Sequence, residues 1–276
     1  MANFEHLSVL KAGAIAWIEW REKNPLIEPD LSVANLQGDN LRGANLQGVN
    51  LSKVDLGDAL LVRANLKGAN LTGANLRGAK LMEANLSYAN CSISNLSGAI
   101  LTQADLSHAN FIGSDLSYAN LQGAVIADAN LIGTDFSSAN LTDADLGTAK
   151  LHRSNLAFAN LIAANLISAD LSGANLYEME GMGAYLYKAN LHSANLNKVH
   201  LSGAYLLRAN LSEANLSQAD LRWTNLKGAN LTGANLRGTK LTGVKNLSVS
   251  QVKSAQNWED GEYSRDFRKQ LGLQAK

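Results

Sequence analysis

The amino-acid sequence predicts an all-β solenoid, a four-sided parallel β-helix, on three observations. First, the chain repeats every five residues from Pro29 to Gly243. Second, in most pentads an alanine precedes a leucine by two positions, and leucine fills 38 of the 43 leucine positions from Leu31 to Leu241. Third, residues that depart from the repeat recur at intervals of twenty. A period of five fits neither an α-helix nor a long strand, whose periods are 3.6 and 2 residues.

Each pentad is predicted to form one short straight side of a coil. Its five positions are called here the alanine, asparagine, leucine, first turn and corner positions. The alanine and the leucine are two residues apart, so on an extended backbone both face inward. A small residue beside a large one lets the interior close without a lumen. Glycine is frequent at the corner, as at Gly38 and Gly73, and corners accept glycine at little cost.

The exceptions to the repeat predict four sides per coil. Polar residues that replace the inward alanine recur every twenty positions: Ser94, Ser114, Thr134 and Ser154. The two tyrosines at asparagine positions, Tyr185 and Tyr205, are also twenty apart. Phe111 and Phe136, which are 25 apart, do not follow this spacing. Since twenty residues are four pentads, each residue is expected to stack on the one twenty positions later.

These pentads resemble those of the pentapeptide repeat family, for example ANLTGANLRGAK at 69–80 and ANLTGANLRGTK at 229–240. The resemblance covers residues 29–243 and implies a right-handed quadrilateral β-helix, in keeping with the usual hand of parallel crossovers. Four sides per coil make about eleven coils from the 43 pentads. Both flanks of the repeat resemble those of cyanobacterial members of the family.

The five-residue repeat begins at residue 29 and ends at residue 243, which divides the chain into three predicted segments. Residues 1–28 are predicted to be an N-terminal α-helical cap, and residues 29–243 the pentapeptide-repeat β-helix. Residues 244–276 are predicted to form C-terminal helices. A solenoid needs its end coils covered, so these helices are expected either to cap the last coil or to pair two chains as a homodimer.

The N-terminal segment is predicted to be one helix laid over the first coil. Apolar residues recur at helical spacing from Phe4 to Ile18, and the helix is expected to stop before Pro25. Trp17 and Trp20 are available to plug the end of the core.

Bulk composition argues against several classes of partner. The 24 basic and 24 acidic residues balance, so no global field favours nucleic acid or an anionic membrane surface. No apolar run reaches the ~18 residues of a membrane helix, and the first residues lack the basic start of a signal peptide. The single cysteine, Cys91, fits a reducing compartment. A soluble cytoplasmic protein is expected, without nucleic acid or membrane as a partner.

No catalytic, metal or cofactor site is predicted, so the chain is expected not to be an enzyme. His152 and His192 share a column but are two coils apart, too far for one zinc ion. Ser172 lies between them, and no serine has a histidine at a spacing that predicts a nucleophile and its base. Cys91 occupies an inward leucine position and is expected to act as a small buried hydrophobe.

The candidate site is a patch of aromatic, apolar and basic residues on one side of the predicted coil, called here the tyrosine patch. Its residues are Ile167, Tyr185, Tyr187, Lys188, Tyr205, Leu207, Arg208 and Trp223. Aromatic residues clustered with arginine are typical of protein interfaces. Exposed aromatics also stabilise sheets by cross-strand stacking, and the sequence leaves both interpretations open. The leading functional prediction is a non-enzymatic scaffold whose side faces bind an unidentified protein partner.

The family resemblance implies an alternative, since some members imitate a DNA duplex and bind DNA gyrase. Such mimicry requires a strongly acidic surface in place of phosphates. The chain offers one candidate surface, an acidic belt made of Asp105, Asp115, Asp128, Asp135 and Asp145. Acids and bases nearly balance over the repeats as a whole, which argues against mimicry. A third prediction is a structural spacer or regulatory dimerisation module.

The pentad at 179–183 departs from the repeat without changing its period. Met179, Glu180 and Gly181 take the places of alanine, asparagine and leucine. The first and third changes nearly cancel in volume, and methionine suits an irregular gap. This pentad is therefore interpreted as a packing repair rather than a functional site.

Overall fold

The structure, a computed structural model, describes residues 2–274. It consists of two units, Met1–Ala139 and Asn140–Lys276, called here the first and second unit. The division into residues 1–28, 29–243 and 244–276 stays a prediction.

In the first unit, each coil contains four pentads. The asparagine positions form parallel bridges to residues one coil away, beginning with Asp30 to Asn50. The leucine N–H also bonds to the next coil, as from Leu31 to the Asn50 carbonyl oxygen at 2.8 Å. The alanine N–H instead closes a turn within the chain, as from Ala34 to the Leu31 carbonyl oxygen at 3.2 Å. The twenty-residue spacing predicted from the sequence is confirmed.

The straight part of each side is very short. Within residues 2–274 the coils are joined by single-residue bridges at the asparagine positions, and no longer strand forms. The reason is the turn that begins directly after each leucine, which interrupts the extended backbone in every pentad. The short straight side predicted for each pentad is therefore one bridged residue between two turns.

The corner position has a positive φ in nearly every pentad, as type II turns require of their third residue. Gly98 has φ 64° there, but larger residues adopt the same conformation, including Ile93 at 57° and Val33 at 62°. The asparagine side chain supports this turn. Its Oδ1 accepts the N–H two residues later, as from Ser52 to Asn50 at 3.2 Å.

The interior of the first unit contains the alanine and leucine side chains. Leucines such as Leu56 and Leu96 are fully buried, and Phe111 and Phe136 fill leucine positions in the same interior. Cys91 is also fully buried, and this burial raises the pKa of its thiol. Such burial agrees with a hydrophobic packing role for the cysteine.

The N-terminal segment contains two helices where the sequence predicts one. Helix α1 is Phe4–Lys11 and helix α2 is Ala14–Lys23. Gly13, with φ 110°, lies between the two helices and interrupts the helical backbone. Trp17 is completely buried, and its Nε1 donates to the carbonyl oxygen of Asn45 at 2.7 Å.

The apolar face predicted for this segment is only partly covered. Leu10 is buried, whereas Phe4 is 86 % exposed and Ile18 is also exposed. Because of the break at Gly13, Ile18 in α2 does not continue the helical face of Leu10 in α1.

The second unit repeats the same coil geometry, from the bridge between Asn140 and Asn160 to the bridge between Asn225 and Lys245. Beyond the pentads follow helix α3, Val249–Lys253, the 3₁₀ turn Trp258–Asp260 and helix α4, Arg265–Leu271. This terminal segment continues the ladder through bridges from Asn235 to Gln256 and from Lys240 to Glu262.

Helix α3 also supplies donors to the end of the ladder. Gln251 Nε2 donates to the carbonyl oxygens of Leu226 and Ala229, at 3.0 and 2.8 Å. These contacts satisfy backbone acceptors that an unfinished coil would leave open. Pairing of two chains through the C-terminal helices stays a prediction.

Candidate interaction surface

The centre of the tyrosine patch is a pair of stacked rings in the second unit. Tyr185 and Tyr205 occupy asparagine positions and are bridged through their backbones. Their ring centroids are 5.0 Å apart and their planes differ by 3°. Both side chains are 46 % exposed. The contact predicted from their twenty-residue spacing is therefore confirmed.

The rings of the pair project from the side between two asparagines. Asn165 is bridged to Tyr185 in the preceding coil, and Asn225 is bridged to Tyr205 in the following one. The stacked faces of the tyrosines are turned toward each other. Ring edges and hydroxyl groups therefore make up most of what the pair presents outward.

The tyrosines give up hydrogen bonds that asparagine makes at the same position. In the same column, Asn165 Oδ1 accepts the N–H of Ile167 at 3.1 Å. Asn225 Oδ1 accepts the N–H of Lys227 at 3.2 Å. A tyrosine has no side-chain acceptor near its Cβ, so the N–H groups of Tyr187 and Leu207 lose this partner. The loss is about 1 kcal/mol for each bond, and the stacked pair returns only about 0.5–1.5 kcal/mol.

A shallow depression of about 430 Å³ lies beside the tyrosine pair, lined by Tyr187, Leu207, Arg208, Lys227 and Gly228. Tyr187 and Leu207 are half-buried and stack one coil apart, at first turn positions. Arg208, at a corner with φ 55°, extends from the rim. The depression thus combines an apolar floor with a basic edge.

Two further predicted residues lie in the same columns as the depression. Ile167 precedes Tyr187 by one coil and is exposed. Lys188 occupies the corner next to Tyr187, and its Nζ lies 5.2 Å from the centre of the Tyr187 ring. Both residues therefore extend the surface that Tyr187 and Leu207 begin.

Trp223 lies at a different corner of the coil and is 56 % exposed. A Cβ on Gly243 would lie 2.6 Å from its Cδ1, so the indole occupies the space beside that glycine. The Arg222 guanidinium lies 5.1 Å from the ring centre. Arg222 also binds Asp220, with 2.9 Å from Nε to Oδ1, and this hydrogen bond lowers the pKa of the Asp220 carboxyl.

The structure thus brings seven of the eight predicted residues onto one side and its following corner, with Trp223 at the preceding corner. The stacking of Tyr185 on Tyr205 is present. Use of the surface by a partner stays a prediction.

A family model described as pentapeptide repeats matches the chain in eight successive copies, which extend from residue 30 to residue 243. The chain belongs to the pentapeptide repeat family. Structures of this family are right-handed quadrilateral β-helices, which supports the solenoid fold. Among curated proteins no significant match was found.

Several solved pentapeptide repeat proteins are similar to the chain. HetL from the cyanobacterium Nostoc sp. strain PCC 7120, involved in heterocyst differentiation regulation, is 31 % identical over 83 % of this chain and 97 % of its own, with a TM-score of 0.38. Rfr23 from the cyanobacterium Cyanothece 51142 is 32 % identical over 46 % and 63 %, with a TM-score of 0.14. QnrB1, a plasmid-mediated fluoroquinolone resistance protein, is 17 % identical over 64 % and 89 %, with a TM-score of 0.39. Since these TM-scores are low, the family assignment depends on the repeat match and on sequence identity.

Pentapeptide repeat proteins are generally non-catalytic structural or interaction proteins. Within residues 2–274, no group of three or more His, Cys, Asp or Glu side chains is placed to hold a metal ion. Over the same residues, no helix has both the length and the apolar character needed to span a bilayer.

The histidine column of this pentapeptide repeat protein contains contacts that the sequence did not predict. His152 Nδ1 lies 2.9 Å from Ser172 Oγ. Ser172 Oγ itself donates to Asp170 Oδ1 at 2.7 Å, so it is not oriented to give its proton to the histidine. Two coils later, His192 Nδ1 repeats the contact with Ser212 Oγ, at 3.0 Å. Each serine donates within its own turn and each histidine contacts it from the preceding coil, so neither pair has the arrangement of a nucleophile with its base.

The acidic belt is divided between the two units, with Asp145 in the second and the other four residues in the first. Four of its five carboxylates support turns as asparagine does. Asp105 Oδ1 accepts from Ser107 N at 2.9 Å and from Ser107 Oγ at 2.6 Å. Asp115, Asp135 and Asp145 likewise accept, each through its own Oδ1, the N–H two residues later, at 2.8, 2.8 and 3.0 Å. Asp128 is an exposed corner residue.

Turn support therefore accounts for four of the five belt carboxylates, and Asp128 is the exception. The gyrase-binding alternative stays a prediction.

The pentad at 179–183 is repaired from within. Met179 is buried, and its Sδ lies 3.0 Å from the point where a Cβ on Gly181 would stand. The methionine side chain thus fills the space of the absent leucine, and the interpretation as a packing repair is confirmed. Glu180 points outward and its Oε1 lies 2.7 Å from His200 Nδ1.

A second depression, of about 820 Å³, was missed by the sequence analysis. At its edge Lys198 Nζ binds Glu178 Oε1 at 2.9 Å, and this hydrogen bond lowers the pKa of the Glu178 carboxyl. Tyr177 donates its hydroxyl to the same carboxylate at 2.8 Å and packs edge-on against Phe158. The signal was available, because Phe158, Glu178 and Lys198 occupy one corner column at intervals of twenty.

Proposed function

We propose that this pentapeptide repeat protein is a non-enzymatic scaffold that binds a protein partner through the tyrosine patch. The observation that supports this proposal most is the replacement of asparagine by tyrosine at positions 185 and 205. Asparagine there would make a turn hydrogen bond, and the tyrosines replace it with a stack that gives little or no net stability. Two adjacent coils carry this exchange on an exposed side, next to an apolar depression. Exposed tyrosine beside arginine is the composition that interfaces favour.

Rigidity of the coil adds to the proposal. The backbone of each side is bonded to the next coil in the same unit, and the corner conformations are fixed by turns. A surface that is already ordered loses little conformational entropy on association. The proposed location is the cytoplasm, in keeping with a single buried cysteine.

The test is a capture experiment with a patch variant that restores the family's own residue. In Tyr185→Asn/Tyr205→Asn, both turn hydrogen bonds are regained, so the variant is expected to be at least as stable as the wild type in thermal unfolding. We expect immobilised wild-type protein to retain a specific partner from native cell extract, identified by mass spectrometry, and the double variant to lose it. Leu207→Glu places a carboxylate on the depression floor and is expected to have the same effect.

The matched control is Tyr88→Asn in the first unit. Tyr88 stacks on His108 with ring centroids 4.8 Å apart, at an exposed corner outside the patch. Its loss removes a comparable ring pair and should leave capture unchanged. Recovery of the same proteins by the wild type and by both patch variants would refute the proposal.

A further inference from the structure

On this side of the coil, cations and no carboxylates lie in the two coils of the tyrosine pair and in the coil after them, whereas the coil before them has Asp170. Three consecutive coils contribute residues 185–190, 205–210 and 225–230, which contain Lys188, Arg208 and Lys227 and no Asp or Glu. All three cations are exposed.

These three cations are not used in ion pairs within the described part of the second unit. In the described part of the second unit, ion pairs occupy Lys198 with Glu178, Arg222 with Asp220 and Arg237 with Asp260. No ion pair within residues 140–274 involves Lys188, Arg208 or Lys227. The positive charge of the patch is therefore available to a partner.

The tyrosines also favour a partner that supplies hydrogen-bond acceptors. The edges of the Tyr185 and Tyr205 rings and their hydroxyl groups point away from the coil, and each hydroxyl can donate one hydrogen bond. Ammonium and guanidinium groups only donate. A partner that complements this side must supply hydrogen-bond acceptors and negative charge next to an apolar group for the floor of Tyr187 and Leu207.

We propose that the tyrosine patch binds an acidic segment of its protein partner. Carboxylates of that segment pair with Lys188, Arg208 and Lys227, and an apolar side chain enters the depression between Tyr187 and Leu207. This inference rests on the proposed function and specifies the chemistry of the partner.

A single-stranded nucleic acid fits the same surface less well. Bases bind proteins by stacking on exposed ring faces, but Tyr185 and Tyr205 stack on each other and have Asn165 and Asn225 as their coil neighbours. Phosphate binding also needs an extended series of cations, whereas this side has three.

The test measures binding of labelled peptides to the full chain by fluorescence anisotropy. The probe is a short glutamate-rich peptide with one central leucine, and the matched probes replace every glutamate by glutamine or by lysine. An oligo-dT strand is the nucleic-acid probe. We expect the glutamate peptide to bind about tenfold more tightly than the glutamine peptide, a difference that falls with added salt. Equal binding of these two peptides, or tighter binding of oligo-dT, would overturn the inference.

Charge reversal locates the binding site on the chain. Arg208→Glu/Lys227→Glu is expected to weaken binding of the glutamate peptide about tenfold or more. The matched control is Lys150→Glu/Arg153→Glu, which makes the same change of charge at exposed positions outside the patch and should leave binding within about twofold. An equal effect of the two variants would also overturn the inference.

The two proposals fail in different ways. If Tyr185→Asn/Tyr205→Asn loses the captured partner while the glutamate peptide has no advantage, the scaffold function stands and the acidic segment is wrong. If capture is unaffected by the tyrosine change, the scaffold function itself is wrong.

Discussion

Two neighbouring stretches of the second unit depart from the pentad in opposite directions. At 179–183 the departure is inward, where Met179 and Gly181 replace alanine and leucine in the core. At 185–208 the inward residues are alanine and leucine except for Val199, and the main departures are outward, where Tyr185 and Tyr205 replace asparagine. The inward change is compensated within contact distance, since Met179 Sδ lies 3.0 Å from the Cβ position of Gly181. The outward change is not compensated by any hydrogen bond of the tyrosines' own turns.

This difference shows how irregularities in a repeat can be interpreted. A close-packed interior requires repair of each change in volume, so an inward exception that persists is explained by its partner. A side face imposes no such requirement. An outward exception that costs local stability is therefore the better candidate for function.

The largest effect that tests this comparison is expected from the repaired pentad. Met179→Ala opens a cavity and should lower the free energy of unfolding by about 2–5 kcal/mol. Gly181→Leu crowds the buried methionine and Leu201, whose Cδ2 lies 2.8 Å from the Cβ position, at a cost of about 1–3 kcal/mol. Combining the two changes restores the family pattern and should return stability to within about 1 kcal/mol of the wild type.

Denaturant unfolding of the two single variants and the double variant measures the energetic coupling between positions 179 and 181. Additive losses in the double variant would show that the methionine does not substitute for the leucine. Met82→Ala, at a half-buried first turn position in the first unit, controls for methionine loss outside the core.

Corner positions provide a test of intermediate size in the first unit. Gly98 has φ 64° with no atom within 4 Å of the point where a Cβ would stand, so Gly98→Ala isolates the conformational cost. That cost should be about 1–2 kcal/mol. Ile93, at φ 57° and 72 % exposed, already bears such a cost. Ile93→Asn should raise stability by about 0.5–1 kcal/mol, because asparagine adopts this conformation more readily.

Thermal and denaturant unfolding of both variants give the signs directly. A stabilising Gly98→Ala, or a destabilising Ile93→Asn, would mean that side-chain contacts outweigh backbone strain at these corners.

Much of the coil was predictable, because its interior is regular. The twenty-residue spacing followed from exceptions such as Tyr185 and Tyr205, and the stacked rings confirm it. The burial of Cys91 followed from its inward position. These predictions depend only on which positions face the core.

Other features were predicted wrongly or missed for physical reasons. One N-terminal helix was expected, but Gly13 separates α1 from α2. The ion pair of Glu178 with Lys198 was missed although the two residues share a corner column, and the contact of Glu178 with Tyr177 depends on a side-chain rotamer that the repeat does not specify.

The smallest effect is expected from the exposed pair of Lys198 and Glu178. The pKa of Glu178 is lowered in the folded protein, first by its hydrogen bond with Lys198 and then by that with Tyr177. A lowered carboxyl pKa stabilises the fold above the ordinary value of 4.5, and this stabilisation is lost as the pH falls through the folded value. The advantage of the wild type over Lys198→Met should therefore be present at neutral pH and disappear in acid.

Melting temperatures of the two proteins across the acidic range test this sign. An advantage that grows as the pH falls would contradict it. Lys150→Met, which removes an exposed lysine outside any ion pair of the described residues, should show no such pH dependence.

Bridges that join pentads twenty residues apart have a consequence for how the chain acquires its structure. Within either unit, each new coil pairs with the coil before it, so no pentad depends on contacts with residues far away in the sequence. Folding can then proceed by adding one coil at a time to its neighbour, and the slow step is formation of the first coil. A ribosome delivers the sequence in that same order, so assembly can keep pace with synthesis.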